Sequence, residues 1–268
     1  MERVRVGRLI YIIFFLSFNC FAQNISYNPD LSSNWQFYKP LMFGDKEINN
    51  DQKVVKIFLN TKTSDATTVP LMINGLINQT PESFIKKVYI IVDNNPSPVA
   101  GVFNFSPDNG KVKIETRLRF EKFSFVRAIA EMNDGTLFQA VEWVKAEGGC
   151  SAPSAGSEGE IVDLGKIRVR VDEIRNYEDP LLTEVQIKHP NESGLSIDFP
   201  TDKVARFIRD INVTYNGTNV FDGKVDFSLS DNPILRFYFL PGKDGILKIN
   251  LIDTYDSVYS KAVNVSKD

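Results

Sequence analysis

Short alternating or β-branched runs, each closed by turn residues, dominate this chain from Val54 to Val265. Such runs form strands, because side chains on a strand alternate faces with a period of two. Helical periodicity is scarce. The first half predicts strands near 54–59, 68–77, 84–92, 101–106, 111–119, 123–132 and 136–144. The second predicts strands near 161–171, 182–189, 207–215, 219–227, 234–240, 247–253 and 258–265. Seven short strands per half is the spacing of an immunoglobulin-like β-sandwich, so the expected fold is all-β, with two such domains in tandem. Pro107-Asp108-Asn109-Gly110 and Asn133-Asp134-Gly135 predict hairpins on either side of Lys111–Met132, because Gly and Asn tolerate positive φ. Asn216-Gly217 is the strongest two-residue hairpin signal, and Asp244-Gly245 marks another turn. Residues 23–53 are weaker in pattern. They read as an N-terminal extension packing on the first sandwich through Trp35, Phe37, Leu41 and Phe43.

The first 22 residues read as an export signal. Arg3, Arg5 and Arg8 precede an uncharged apolar run over 9–18, too short for a comfortable bilayer span. Small residues at Cys20 and Ala22 fit cleavage after Ala22. A lipoprotein acylated at Cys20 is the weaker reading, because Phe18 and Asn19 are large for such a site. The expected mature chain is then periplasmic, has no membrane span and carries a net charge of about −5. No run of Lys and Arg stands out along the sequence, which argues against nucleic acid as a partner.

Cleavage leaves Cys150 as the only thiol, so an internal disulfide is impossible. A lone free cysteine is usually a small buried apolar residue. The neighbours of Cys150 predict otherwise. Residues 146–159 contain no bulky apolar side chain and are rich in Gly, Ser and Ala, which is linker composition. Gly148 and Gly149 therefore read as a flexible arm holding an exposed, mobile Cys150. The division is a sandwich over 54–147, a linker over 148–159 and a second sandwich over 160–268. A thiol on such an arm can attack an electrophile and hold a covalent adduct.

Self-contained catalysis lacks a residue set. A Cys-His dyad would need His189, the only histidine, which precedes Pro190 at a strand end and reads as structural. One Cys and one His are too few for a tetrahedral zinc site, and no phosphate-cradling glycine motif or nucleophile elbow occurs. No cofactor and no metal is therefore expected. An adhesion or chaperone-type sandwich accounts for the strands but not for the thiol.

Specific motifs extend this reading. The first half resembles the SoxY sulfur carriers in Asn95-Pro96-Ser97-Pro98-Val99-Ala100, in 114–119, in 128–135 and in the closing Gly148-Gly149-Cys150. The second half resembles SoxZ in 187–195, in 205–208 with 213–217, and in Asn232-Pro233-Ile234-Leu235-Arg236-Phe237. The fused order is similar to SoxYZ-like carriers associated with quinoprotein dehydrogenases, as are 41–45 and 149–153. The resemblance implies immunoglobulin-like folds and a non-enzymatic periplasmic carrier. Its Cys150 would hold a sulfur intermediate for partner oxidoreductases and hydrolases. The alternative is an accessory binding module of a quinoprotein dehydrogenase or c-type cytochrome. Two departures stand out. The free carriers end in Gly-Gly-Cys-Gly-Gly, whereas here Ser151-Ala152-Pro153 and a second domain follow, so the arm is tethered at both ends.

Overall fold

The computed structural model describes residues 28–153, 162–195 and 204–267. The expected export signal, the end of the expected linker beyond Pro153 and the final residue lie outside these. Among the described residues, fifteen strands form two sheets. In the first half they are β1 (Ile48–Asn49), β2 (Val55–Leu59), β3 (Val69–Gly75), β4 (Ile85–Val92), β5 (Val99–Asn104), β6 (Lys113–Leu118), β7 (Ser124–Met132) and β8 (Leu137–Val144). In the second they are β9 (Ile167–Val171), β10 (Leu181–Ile187), β11 (Ile208–Tyr215), β12 (Thr218–Val225), β13 (Ile234–Phe239), β14 (Gly245–Asp253) and β15 (Val258–Val265). Each of the fourteen runs read from the sequence overlaps one of these strands. No helix among the described residues is long and apolar enough to cross a membrane.

The fold is two tandem β-sandwiches joined edge to edge. One sheet runs β1-β8-β7-β4-β5-β12-β11-β14-β15 and the other β2-β3-β6-β13-β10-β9. The halves meet where β5 pairs with β12, from Asn104↔Asp222 to Gly101↔Val225, and where β6 meets β13 at Glu115↔Arg236. A closed edge cannot recruit foreign strands, so the junction uses up two otherwise open edges. One continuous core fills both halves, with Phe103, Phe221 and Phe237 stacked across the junction. Gly223 is required there, because a Cβ would lie 2.7 Å from the Phe103 ring.

Asn216-Gly217 turns the β11–β12 hairpin with φ of 49° and 83°, as its sequence predicts. Asn133-Asp134-Gly135 likewise turns β7 into β8. The segment 107–110 does not make a hairpin. It carries the chain from β5 in one sheet to β6 in the other. The edges a hairpin would have paired are taken by β12 and β13 of the second half. Buried Asn109 donates to Val220 O at 2.7 Å and Tyr238 O at 2.8 Å, fastening the turn to that half.

The N-terminal extension contains an unforeseen helix, α1 (Ser33–Phe43). Trp35 and Phe43 are buried, as expected. Phe37 and Leu41 are 63% and 70% exposed, contrary to expectation. Positions 35 and 43 lie near one helical face, whereas 37 and 41 project to the other. Trp35 and Phe43 pack with Ile48, Ile91, Ile129 and Leu137 in a small separate core. The fully buried Arg127 holds this segment down, with its guanidinium 4.1 Å from the Trp35 ring and Nη2 donating to Pro29 O at 2.6 Å.

Candidate functional site

After β6 the chain crosses between sheets through Arg119–Phe123. After β8 it folds back against that crossing. Phe120 N–H donates to Ala66 O at 2.9 Å, Gly149 N–H to Phe120 O at 2.7 Å, and Gly148 N–H to Glu121 O at 3.0 Å. The segment expected to swing freely is therefore ladder-bonded as far as Gly149. Gly149 serves close packing, since a Cβ there would lie 2.0 Å from Ala66 O, whereas Gly148 has open space around it and serves the turn through its φ of 80°.

Cys150 is fully buried, not exposed as its composition predicts. The short polar residues that suggest a linker contribute no apolar surface of their own, but they fit into surface supplied by other segments. Glu121 organises the turn. Its carboxylate accepts from Cys150 N–H at 3.1 Å, Ser151 N–H at 3.0 Å and the Ser151 hydroxyl at 3.0 Å. The second half closes the other side, where Ser193 Oγ–H donates to Cys150 O at 2.5 Å. Thus residues separated by more than forty positions, from both halves, hold the cysteine.

Burial pushes the Cys150 thiol up to about 12, and the nearby Glu121 carboxylate adds to the rise. Arg119 opposes it, and Asp226 adds to it. Arg119 is itself buried, and its Nη2 reaches Pro190 O at 3.5 Å. Buried Asn95 ties the crossing to the second half, donating to Arg119 O at 2.8 Å and Ser228 Oγ at 3.1 Å while accepting from Glu121 N–H at 3.0 Å. At pH 7 a thiol with this pKa is thiolate only on the order of one part in 100,000.

His189 belongs to a different cluster. Its Nε2 lies 3.4 Å from Asp253 Oδ2, which also accepts from Arg206 Nε and the Tyr259 hydroxyl, each at 3.0 Å. Its Nδ1 accepts from Asn191 N–H at 3.1 Å. Burial pushes His189 down to about 4, overriding the pull of Asp253. Burial pushes Asp253 up, but hydrogen bonds from Ser257, Arg206 and Tyr259 outweigh it and hold the carboxyl at about 2. His189 is thus a neutral structural residue that shapes the turn leading to Ser193. Among the described residues no group of three His, Cys, Asp or Glu side chains is placed to hold a metal ion.

Sequence reasoning singled out Cys150, Gly148 and Gly149 as candidates and gave no role to Glu121, Ser151, Ser193 and Arg119, which the structure places around the thiol. Glu121 leaves no local signal, since a carboxylate after a strand is ordinarily solvated.

Residues 40–150 match the family of the sulfur oxidation protein SoxY, and residues 169–264 match that of the sulphur oxidation protein SoxZ. The first match ends on Cys150. Among solved structures, the sulfur carrier protein SoxY from Chlorobium limicola f thiosulfatophilum is 20% identical. That likeness covers 43% of this chain and 93% of that one, with a TM-score of 0.35. A superoxide reductase (neelaredoxin) from Ignicoccus hospitalis is 19% identical over 35% of this chain and 80% of that one, with a TM-score of 0.29. A beta-glycosidase from Bacteroides vulgatus is 9% identical over 81% of this chain and 25% of that one, with a TM-score of 0.26. These structural overlaps are too low to carry an argument. Comparison with curated proteins gave no match. The two family matches, in this order and covering most of the chain, place it among the SoxYZ-like sulfur-oxidation carriers, with a SoxY domain fused to a SoxZ domain.

Proposed function

We propose that the protein is a periplasmic covalent carrier whose Cys150 holds a sulfur-containing intermediate for partner enzymes of sulfur oxidation. The observation that carries this reading is the SoxY match running to a free thiol at its last residue. The fused order favours a quinoprotein dehydrogenase or c-type cytochrome system among the partners. Loading an intact thiosulfate joins its terminal sulfur to Cys150 Sγ by an S–S bond, giving Cys150–S–S–SO3−. The thiol proton goes to solvent and two electrons go to an oxidising partner such as a c-type cytochrome.

In the buried state the thiol is protonated and inaccessible, so loading requires the turn at 150–151 to leave Glu121 and Ser193. Once solvated, the thiol returns toward its ordinary value near 8.5, with a few per cent thiolate at pH 7. Closure then guards the group against stray oxidation. The flanking bonds at Gly148 and Gly149 limit the excursion to a short loop, as the second domain downstream also requires.

Intact-mass measurement of protein taken from its native periplasm tests this directly. The expected result is a sulfur adduct that Cys150→Ser abolishes. An unmodified thiol under growth on reduced sulfur compounds would sink the reading. The burial of the thiol favours a second reading, an accessory module that docks a dehydrogenase or cytochrome. A partner retained by the Cys150→Ser protein, with no adduct on the wild type, supports that one instead.

A further inference from the structure

A second candidate site lies on the outer face of the six-stranded sheet. A cavity of about 420 Å³ there is lined by Arg117, Lys166, Arg168 and Lys188, with Asp163 as the one carboxylate. Three separate stretches of sequence supply these cations, so no basic run announces them. The ladder brings them together. Arg168 sits opposite Gln186 on β10, and Lys188 N–H donates to Lys166 O at 3.0 Å, which puts both lysines at the same level. Arg117 arrives from β6 of the first half, with Nη2 donating to Asn232 O at 3.1 Å.

The neighbouring patch on the same face shows what a merely structural arrangement looks like. There Arg236 bridges Glu115 and Glu184, and Lys113 also reaches Glu115. In the cavity only Lys166 has such a partner, Asp163 at 2.9 Å. No carboxylate among the described residues lies within ion-pair distance of Arg117, Arg168 or Lys188. The Nε of Arg117 is buried and has no acceptor among them. Asp163 is the one carboxylate that offsets these four cations, acting on Arg168 and Lys188 at longer range than on Lys166, so an excess of positive charge remains in the cavity. A bound anion relieves it.

We infer that this cavity binds a small tetrahedral dianion of the sulfate, thiosulfate or phosphate kind. Three cations remain after Lys166 pairs with Asp163, and planar guanidinium forks beside an ammonium suit oxygen atoms spread over a compact anion. No aromatic side chain lines the cavity, which disfavours a ligand with a flat ring. A broad acidic protein surface would meet the exposed lysines and leave Arg117 unanswered. The inference is independent of what Cys150 carries, since it uses none of the residues around the thiol.

Titration of the full chain with sodium thiosulfate, sulfate or phosphate tests it, with sodium chloride at matched ionic strength as control. Calorimetry gives the affinity, and backbone amide shifts give the place. Saturable shifts are expected at 166–168, 186–188 and 232 with at least one dianion, and not with chloride. R168E/K188E is expected to weaken binding by about tenfold or more, with R168Q/K188Q as the second pair if charge reversal lowers the melting temperature. The dianion bound most tightly identifies the physiological class. A response equal to that of chloride, or one unchanged in a folded double variant, overturns the inference. The Cys150 adduct, measured by mass in the same variants, reports separately on the carrier reading.

Discussion

Arg127 and Glu121 both anchor a segment that the strand pattern leaves loose, but the structure holds them in opposite ways. Arg127 meets both carboxylate oxygens of Asp93 at 2.8 Å, and both side chains are 0% exposed. The same guanidinium covers Trp35 and binds Pro29 O, so the N-terminal helix is fixed through a buried ion pair. Glu121 is only partly buried, forms no ion pair among the described residues and accepts hydrogen bonds from the backbone and hydroxyl of the Cys150 turn. Water can replace those donors at small cost, since an exchanged hydrogen bond is worth about 1 kcal/mol. Nothing so cheap can replace a buried bidentate partner. The contrast makes the Glu121 clasp the less costly of the two to open.

The largest expected effect tests the permanent clasp. Arg127→Ala strands the Asp93 carboxylate in the core and should cost about 3–5 kcal/mol, read as a lower denaturant midpoint together with proteolysis near α1. A loss below about 1 kcal/mol would break the comparison, because Arg127 would then be no more costly to remove than the Glu121 contacts.

Acid probes the second half's side of the cysteine clamp. The folded value of His189, about 4, lies below its ordinary 6.5. Neutral His189 therefore contributes stability above pH 6.5 that is lost as pH falls toward 4, up to about 3 kcal/mol. Melting curves between pH 7.5 and pH 4 should show this slope, and His189→Gln should flatten it. Asp253 contributes only lower, between its ordinary 3.8 and about 2, so the two windows separate. Because His189 begins the turn that ends in Ser193, thiol labelling, expressed at each pH relative to that of the unfolded chain, should rise over the same window as the slope.

Gly149→Ala attacks the clasp around Cys150 by steric means. The added methyl overlaps Ala66 O, so the turn must move, at about 1–3 kcal/mol. Labelling of Cys150 by a maleimide should speed up by about tenfold or more while the global melt shifts modestly. An unchanged labelling rate would mean that the cysteine does not open through this turn. Glu121→Gln should give the smallest change, about 1 kcal/mol, with labelling faster by roughly fivefold and the thiol more acidic once the carboxylate is gone. In all of these proteins, raising the pH past the ordinary thiol value should favour the open turn. The raised native value stabilises closure only below that point.

Much of this was legible along the chain. Each alternating run became a strand because one face of it had a core to meet, and Asn216-Gly217 turned because its two residues accept positive φ. The helix at 33–43 was not legible, since Pro40 interrupts a short and weakly amphipathic stretch whose only buried side chains are Trp35 and Phe43. The Pro107–Gly110 turn was recognised as a turn, but not as a crossing between sheets. Its local conformation suits either use, and the partners on the second edges of β5 and β6 come from residues more than a hundred positions away.

The sequence by itself determined the all-β class, the two-part order, the Cys150 thiol between the halves and, through its motifs, the carrier family. Tertiary structure alone decided the state of that thiol. Composition describes what a segment can bury with its own side chains, and 146–153 has almost nothing to contribute. Burial also depends on what other segments bring. Ala66, Glu121 and Ser193 converge from three distant stretches to enclose Cys150. The same convergence, on the opposite face of the second sheet from the core, gathers four scattered cations into one cavity.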